Sequence, residues 1–87
     1  MGDLRLKRVA MADGKIDRAL VEIDRLPDRT VDRATLVKWM RDGHSVIPVV
    51  SGRRLPALLL VEVGDAFAIR DTPDSVEEDR LPALPGL

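Results

Sequence analysis

Few residues of this chain have side chains that could take part in catalysis, and the segment in which such side chains lie closest together is Asp42-Gly43-His44-Ser45. It places the only histidine of the chain beside a carboxylate and a hydroxyl. A nucleophile, its base and an orienting acid must converge in space, which adjacent residues at the end of a helix rarely do. A cationic imidazole just beyond a helix C-terminus is instead favoured by the helix dipole. We therefore interpret His44 as a structural residue or a partner contact, and we predict no catalytic residues.

Metal and cofactor chemistry has little support in the sequence. The chain has no cysteine, which excludes thiol nucleophiles, thiolate ligands and disulfides. Five carboxylates between Asp71 and Asp79 lie in a proline-broken stretch without ligand spacing, which is typical of a solvated acidic segment. The sequence contains no phosphate-binding glycine loop, dinucleotide fingerprint or HExxH motif. We expect no bound metal and no cofactor.

Two short basic clusters are the remaining candidates for contacts with a ligand or partner. If the N-terminal strand lies near the second cluster, one patch for phosphate or an acidic partner would form from Arg5, Lys7, Arg8, Arg53 and Arg54. Strand alternation would divide the first cluster between two faces, and the chain offers little aromatic surface for stacking on bases. Ordinary solvated arginines are the alternative interpretation.

The composition limits the class of protein. Eighty-seven residues, of which 45% are hydrophobic and 33% charged, are typical of one small globular domain. A net charge of −1 argues against nucleic-acid binding of the ordinary basic type. The longest apolar run, Ala57 to Val61, is far shorter than the roughly 20 residues of a membrane helix. We expect a cytoplasmic protein without membrane contact, and the excess of arginine over lysine favours a bacterial source.

The strongest structural signal is an amphipathic helix predicted over Thr30 to Asp42. Helical spacing brings four apolar side chains onto one face: Leu36, Val37, Trp39 and Met40. Thr30 or Asp32 can serve as N-cap, and Gly43 can adopt the left-handed conformation that ends a helix. A single helix of this kind must cover a sheet.

Strands are predicted on both sides of the helix. Leu4 to Met11 alternates, and the Asp13-Gly14 turn that follows favours a hairpin with Ile16 to Leu26, although a short helix there is the alternative. After the helix, Val46 to Val50 predicts a strand whose Pro48 suggests a sheet edge or a bulge.

The last two strands form the predicted C-terminal hairpin. Ala57 to Val63 is nearly all apolar and predicts a central strand covered on both faces. The Gly64-Asp65 turn leads to Ala66 to Asp71, and this pairing would place Phe67 opposite Glu62 and Ile69 opposite Leu60.

These elements predict an α+β fold in which one helix packs on a small, mainly antiparallel sheet of four or five strands in the order ββαβββ. Residues 1–71 form the predicted domain, and residues 72–87 form an acidic, proline-rich tail that is either mobile or partly docked. Because such a domain is small, self-association would stabilise it, and an edge near Pro48 or at the N-terminal hairpin would offer a route.

Residues 30–85 also resemble a family of small, uncharacterised bacterial domains. The resemblance rests on the helix that ends in Arg41-Asp42-Gly43, on the two strands after it and on the finish Ile69-Arg70-Asp71 followed by Asp79-Arg80-Leu81-Pro82. It implies the same fold with a docked tail, and it implies no activity and no site residues. From the sequence we therefore expect a non-catalytic protein-interaction or regulatory module, with binding of nucleic acid or a phosphate ligand as the alternative.

Overall fold

The computed structural model of the chain describes residues 2–87. The elements follow in the order β1 (Asp3–Ala12), β2 (Lys15–Glu22), β3 (Arg29–Asp32), α1 (Arg33–Arg41), β4 (Ser45–Val50), β5 (Arg53–Arg54), β6 (Leu59–Val63) and β7 (Ala66–Arg70).

Five of the strands form one mixed sheet in the order β3-β2-β1-β4-β5, and β6 and β7 form a separate antiparallel pair. Neighbours in the larger sheet are antiparallel except β1 and β4, which are parallel. The parallel pair arises because α1 carries the chain back past β2 and β1, so that β4 runs in the same direction as β3 and β1. The fold is therefore α+β as predicted, but with one strand more before the helix and one more after it than the order ββαβββ.

The helix begins later than predicted because Thr30 and Val31 pair with β2 in the extra strand β3. Asp32 is the N-cap, and its carboxylate accepts a hydrogen bond from the Thr35 N–H at 2.8 Å. At the other end Gly43 has a φ of 97°, the left-handed conformation expected for the stop. The helix within residues 2–87 is too short and too polar to cross a bilayer.

The predicted apolar face of the helix is confirmed. Leu36 is fully buried, and Val37, Trp39 and Met40 pack against the core while remaining partly exposed. The core lies where α1, Leu58 and Ile69 meet one face of the larger sheet, whose buried side chains include Leu4, Leu6, Ile16, Val21 and Val46.

Two predictions about individual strands are wrong. Pro48 does not mark a sheet edge, because β4 lies between β1 and β5 and Pro48 is buried. The Pro48 carbonyl accepts a hydrogen bond from the Leu55 N–H at 2.9 Å on the side of β4 away from β1, so the Pro48 nitrogen also points to that side and its missing N–H takes no donor from the ladder with β1. The run Ala57 to Val63 is not a central strand, because β6 pairs only with β7 within residues 2–87 and Leu59 is 41% exposed.

The register predicted for the second hairpin is confirmed, with Leu60 opposite Ile69 and Glu62 opposite Phe67. The ambiguous segment after Asp13-Gly14 is a strand, β2, and it pairs with β1 as expected.

The C-terminal segment contacts two strands. The Val9 N–H donates to the Pro85 carbonyl and the Leu87 N–H donates to the Val9 carbonyl, each at 3.1 Å. The Arg80 N–H donates to the Ile69 carbonyl at 3.0 Å. Residues 80–87 thus extend the hydrogen bonding of β1 and β7, and Leu81 and Leu84 pack on the core.

Candidate functional site

A groove rich in cations runs between one flank of α1 and the beginning of β7. Its volume is about 510 Å³. We call it the basic groove, and it is lined by Lys15, Arg33, Ala34, Val37, Lys38, Arg41, Ala66 and Phe67.

The helix supplies most of this lining because of its periodicity. Arg33, Val37 and Arg41 recur every four residues and therefore lie above one another on one flank, with Ala34 and Lys38 beside them. The buried stripe around Leu36 lies next to this flank and fixes the rotation of the helix. The same packing that stabilises the core therefore points a row of basic side chains towards β7.

Arg33 is held in place by a buried carboxylate. The side chain of Asp79 has no exposed surface, and it accepts hydrogen bonds from both terminal nitrogens of Arg33, at 3.0 Å from Nη2. It also accepts the backbone N–H groups of Ile16 at 2.7 Å and Ile69 at 2.9 Å. Arg33 Nη2 donates further to the Phe67 carbonyl at 2.9 Å. This cluster joins the helix to β2, β7 and the C-terminal segment, so it restrains the Arg33 side chain that lines the groove.

The remaining cations of the groove differ in their partners. Lys38 donates to the Asp42 carboxylate at 2.8 Å, and this hydrogen bond, together with the charge of Lys38, lowers the pKa of Asp42. Lys15 and Arg41 have no carboxylate within 4.0 Å among residues 2–87. The guanidinium carbon of Arg41 lies 5.3 Å from the centre of the Phe67 ring, within the range of a cation–π contact. The groove therefore carries uncompensated positive charge on Lys15 and Arg41.

The side chains that line the basic groove are of the types that bind a ligand with both apolar and negatively charged groups. Ala34, Val37, Ala66 and Phe67 provide apolar contact area, and the cations provide charge-assisted donors at its rim. The lining residues include no imidazole, hydroxyl or carboxylate. Within residues 2–87 no group of three or more histidine, aspartate or glutamate side chains is placed to hold a metal ion.

The six residues predicted as contacts do not line the groove, and three of them, Arg5, Lys7 and Arg54, are paired with acidic groups. Arg5 donates to Glu22 and Asp24, and the hydrogen bond to Glu22 is the main cause of a raised Arg5 pKa. Lys7 donates to Asp28 at 3.0 Å. The positive charge of the first predicted cluster is therefore largely balanced.

The second predicted cluster does reach the N-terminal strand, as the prediction required, but only through one ion pair. Arg54 lies 3.4 Å from Asp3, and Arg53 is exposed on β5. Arg8 donates to the Gly86 carbonyl at 3.2 Å instead of joining them. Of these five basic side chains, Arg5, Lys7 and Arg54 therefore have acidic partners, and Arg8 and Arg53 have none within 4.0 Å in residues 2–87.

His44 has a structural contact. Its Nδ1 accepts a hydrogen bond from the Gly2 N–H at 3.3 Å, which ties the beginning of the chain to the end of the helix. Among the hydrogen bonds of residues 2–87, none joins His44 to Asp42 or Ser45 through their side chains.

The residues that line the groove were not predicted from the sequence. One signal was available, since Arg33, Lys38 and Arg41 follow helical spacing beside the apolar stripe. Lys15 and Asp79 gave no such signal, because they come from distant parts of the chain and meet the helix only in the folded protein. Comparisons with protein-family models, with curated proteins and with solved structures give no match to this chain.

Proposed function

We propose that this protein is a non-catalytic protein-interaction module whose basic groove binds an acidic segment of a partner protein. The observation that carries the proposal is the exposed Arg41, which lies over Phe67 without a carboxylate partner in residues 2–87. Lys15 lines the same groove and is also without one. A segment that alternates acidic and aliphatic residues would complement both the charge and the apolar floor.

The Arg33–Asp79 cluster supports this role because it preorganises the groove. Arg33 is fixed by Asp79 and by the Phe67 carbonyl, and Phe67 in turn lies under Arg41. A site that is ordered before binding loses less conformational entropy when its ligand binds.

Nucleic acid is a poorer fit to the same surface. Arg5 and Lys7 are paired with carboxylates, and the net charge of the chain is −1. A single phenylalanine lines the groove, whereas single strands are usually bound by several stacked aromatic side chains.

The first test is a titration of the isotope-labelled protein with a synthetic peptide of alternating glutamate and leucine, followed by amide NMR signals. We expect signals of Ala34, Val37, Arg41 and Phe67 to shift and the affinity to fall as salt is added, because exposed charges are screened. Inorganic phosphate and a single-stranded oligonucleotide serve as competing probes. Larger shifts with either of these, or shifts centred on Arg5, Lys7, Arg8, Arg53 and Arg54, would favour the phosphate or nucleic-acid alternative.

A charge reversal gives the matched comparison. Arg41→Glu should weaken binding of the acidic peptide about tenfold, which corresponds to about 1.4 kcal/mol. Arg53→Glu makes the same change in charge on an exposed arginine outside the groove and should leave the affinity nearly unchanged. Equal losses in the two variants would mean that the peptide responds only to the overall charge of the protein, and the groove would then not be the site.

A further inference from the structure

Four strands, β3, β5, β6 and β7, lie at the edges of the two sheets described in residues 2–87 and differ in how they are protected. The outer side of β7 is already hydrogen-bonded to Asp79 and Arg80. The strand β5 has two residues, both arginine, and β3 has four residues with Arg29 and Asp32 at its ends. The strand β6 has five residues, four of them aliphatic and none of them lysine or proline. Short length and charge are what prevent an edge from pairing with another chain. By these criteria β6 is the unprotected edge.

The hydrogen bonds of β7 show which backbone groups of β6 are free. On the outer side of β7, the Ile69 N–H donates to Asp79 and the Ile69 carbonyl accepts from Arg80. Residues directly opposite each other in an antiparallel pair point their backbone groups either both inward or both outward. Leu60 lies opposite Ile69, and Glu62 lies two residues further along, so the N–H and C=O groups of Leu60 and Glu62 point away from β7. No backbone hydrogen bond within residues 2–87 reaches them.

We propose that β6 pairs antiparallel with β6 of a second copy of this chain, about a twofold axis through Val61. In this register Leu60 of each copy faces Glu62 of the other, so that all of the outward N–H and C=O groups of these residues find partners. Leu59 then faces Val63, and Val61 faces Val61, which makes one face of the new pairing entirely aliphatic.

The strand is self-complementary in a way that favours a second copy over an unrelated strand. The one charged residue, Glu62, faces an aliphatic side chain and not the Glu62 of the other copy, so the pairing opposes no like charges directly. Leu59, which is 41% exposed in the single chain, would be covered by Val63 of the second copy. The pairing would join the two-stranded sheets of both copies into one continuous sheet.

This inference does not depend on the proposed function, because the basic groove is formed by α1, Lys15 and the beginning of β7. Failure of peptide binding would therefore leave the pairing of β6 intact, and the reverse also holds. Pairing of two five-residue strands buries less surface than the roughly 1,200 Å² at the lower end of standard protein interfaces. We therefore expect the two copies to associate only at high micromolar concentrations.

Disulfide cross-linking tests the register in the 87-residue chain, which has no cysteine of its own. The two Val61 residues would form a pair without mutual backbone hydrogen bonds, with Cα atoms about 4.5 Å apart. That spacing lies within the range that a disulfide spans. Leu59→Cys is the control on the same strand, because the two Leu59 residues would lie four residues apart, about 13 Å along the strands.

We expect the mass of the unmodified protein in sedimentation equilibrium to rise from 9.6 kDa towards twice that value as concentration increases. Under mild oxidation Val61→Cys should form the covalent dimer at least about tenfold faster than Leu59→Cys, because only the former pair has disulfide geometry. A protein that stays at 9.6 kDa at the highest soluble concentration would overturn the proposal. So would an association in which both cysteine variants cross-link at the same rate.

A second pair of variants keeps the proposal testable if the cysteine variants fail to fold. Leu59→Lys changes an exposed side chain on β6 and should abolish the concentration dependence of the mass without altering the amide spectrum elsewhere. Thr30→Lys adds the same charge to the exposed edge strand β3 and should leave the association unchanged. Association that persists in Leu59→Lys, or that is lost equally in Thr30→Lys, would rule out β6 as the interface.

Discussion

Replacing Asp79 with alanine tests whether the cluster around this carboxylate holds the fold together. The change leaves Arg33, whose side chain is 24% exposed, without its counter-charge, and it leaves the N–H groups of Ile16 and Ile69 without an acceptor. Removing one partner of a buried ion pair typically costs about 3–5 kcal/mol. A domain of this length has a stability of about 4–13 kcal/mol at roughly 0.05–0.15 kcal/mol per residue. We therefore expect Asp79→Ala to lose a large part of the stability.

The assay is urea unfolding followed by the fluorescence of Trp39, the only tryptophan, which is partly buried against the core. With a slope of about 1 kcal/mol per molar urea, the midpoint should fall by about 3–5 M or the folded baseline should disappear. Asp71→Ala is the matched control in the same part of the chain. Asp71 pairs with Arg80 at 3.2 Å, and both side chains are more than a third exposed, so this variant should lose less than about 1 kcal/mol.

A double-mutant cycle separates the pair from the rest of the cluster. Arg33→Ala and Asp79→Ala should together cost less than the sum of the two single changes, because the second change removes a charge that the first left unpaired. The reasoning would be refuted if Asp79→Ala were no less stable than Asp71→Ala. Strict additivity in the cycle would refute the role assigned to Arg33.

Two further predictions concern the ends of the helix and of the chain. Hydrogen bonds from Thr35, through its side chain and its backbone N–H, lower the pKa of Asp32 from its ordinary value of 3.8. The charged N-cap therefore contributes stability above the unfolded pKa, and this contribution is lost as the pH falls through the lower folded pKa. The Asp32→Ser variant keeps a cap oxygen that does not titrate. Between pH 7 and about pH 3, the urea midpoint of this variant should therefore fall less than that of the unmodified protein. An equal fall in both proteins would show that the Asp32 carboxylate is not the cause of the pH dependence. Deletion of Thr72 to Leu87 removes Asp79 together with Leu81 and Leu84, so the shortened chain should show no cooperative unfolding transition. A sharp transition close to that of the 87-residue chain would show that the segment is not needed for folding.

The features of the groove were predictable from the sequence only in part. The amphipathic face of α1 was predictable because it depends only on the spacing of Leu36, Val37 and Met40 along one element. The cations beside that face were equally local, but their environment was not. Arg33 is neutralised by Asp79, which lies 46 residues further along the chain, and Arg41 contacts Phe67, which lies 26 residues further along (79 − 33 and 67 − 41).

The errors about individual strands have the same cause. The run Ala57 to Val63 has the composition of a strand buried on both faces, yet in the described residues 2–87 β6 pairs only with β7 and remains partly exposed. Pro48 has the chemistry of an edge residue, yet it is buried where the ladder between β4 and β1 ends. Composition describes what a segment tolerates, and it does not say which other segment lies beside it.

By itself the sequence determined the local features: the helix with its cap and glycine stop, both hairpins, and the register that places Phe67 opposite Glu62. These follow from periodicity and turn chemistry within a few residues. Only the tertiary structure decided that β1 and β4 are parallel neighbours and that Asp79 is buried against Arg33. The physical reason is that the sequence around a carboxylate does not indicate which residues will bury it or pair with it, because those residues become its neighbours only on folding.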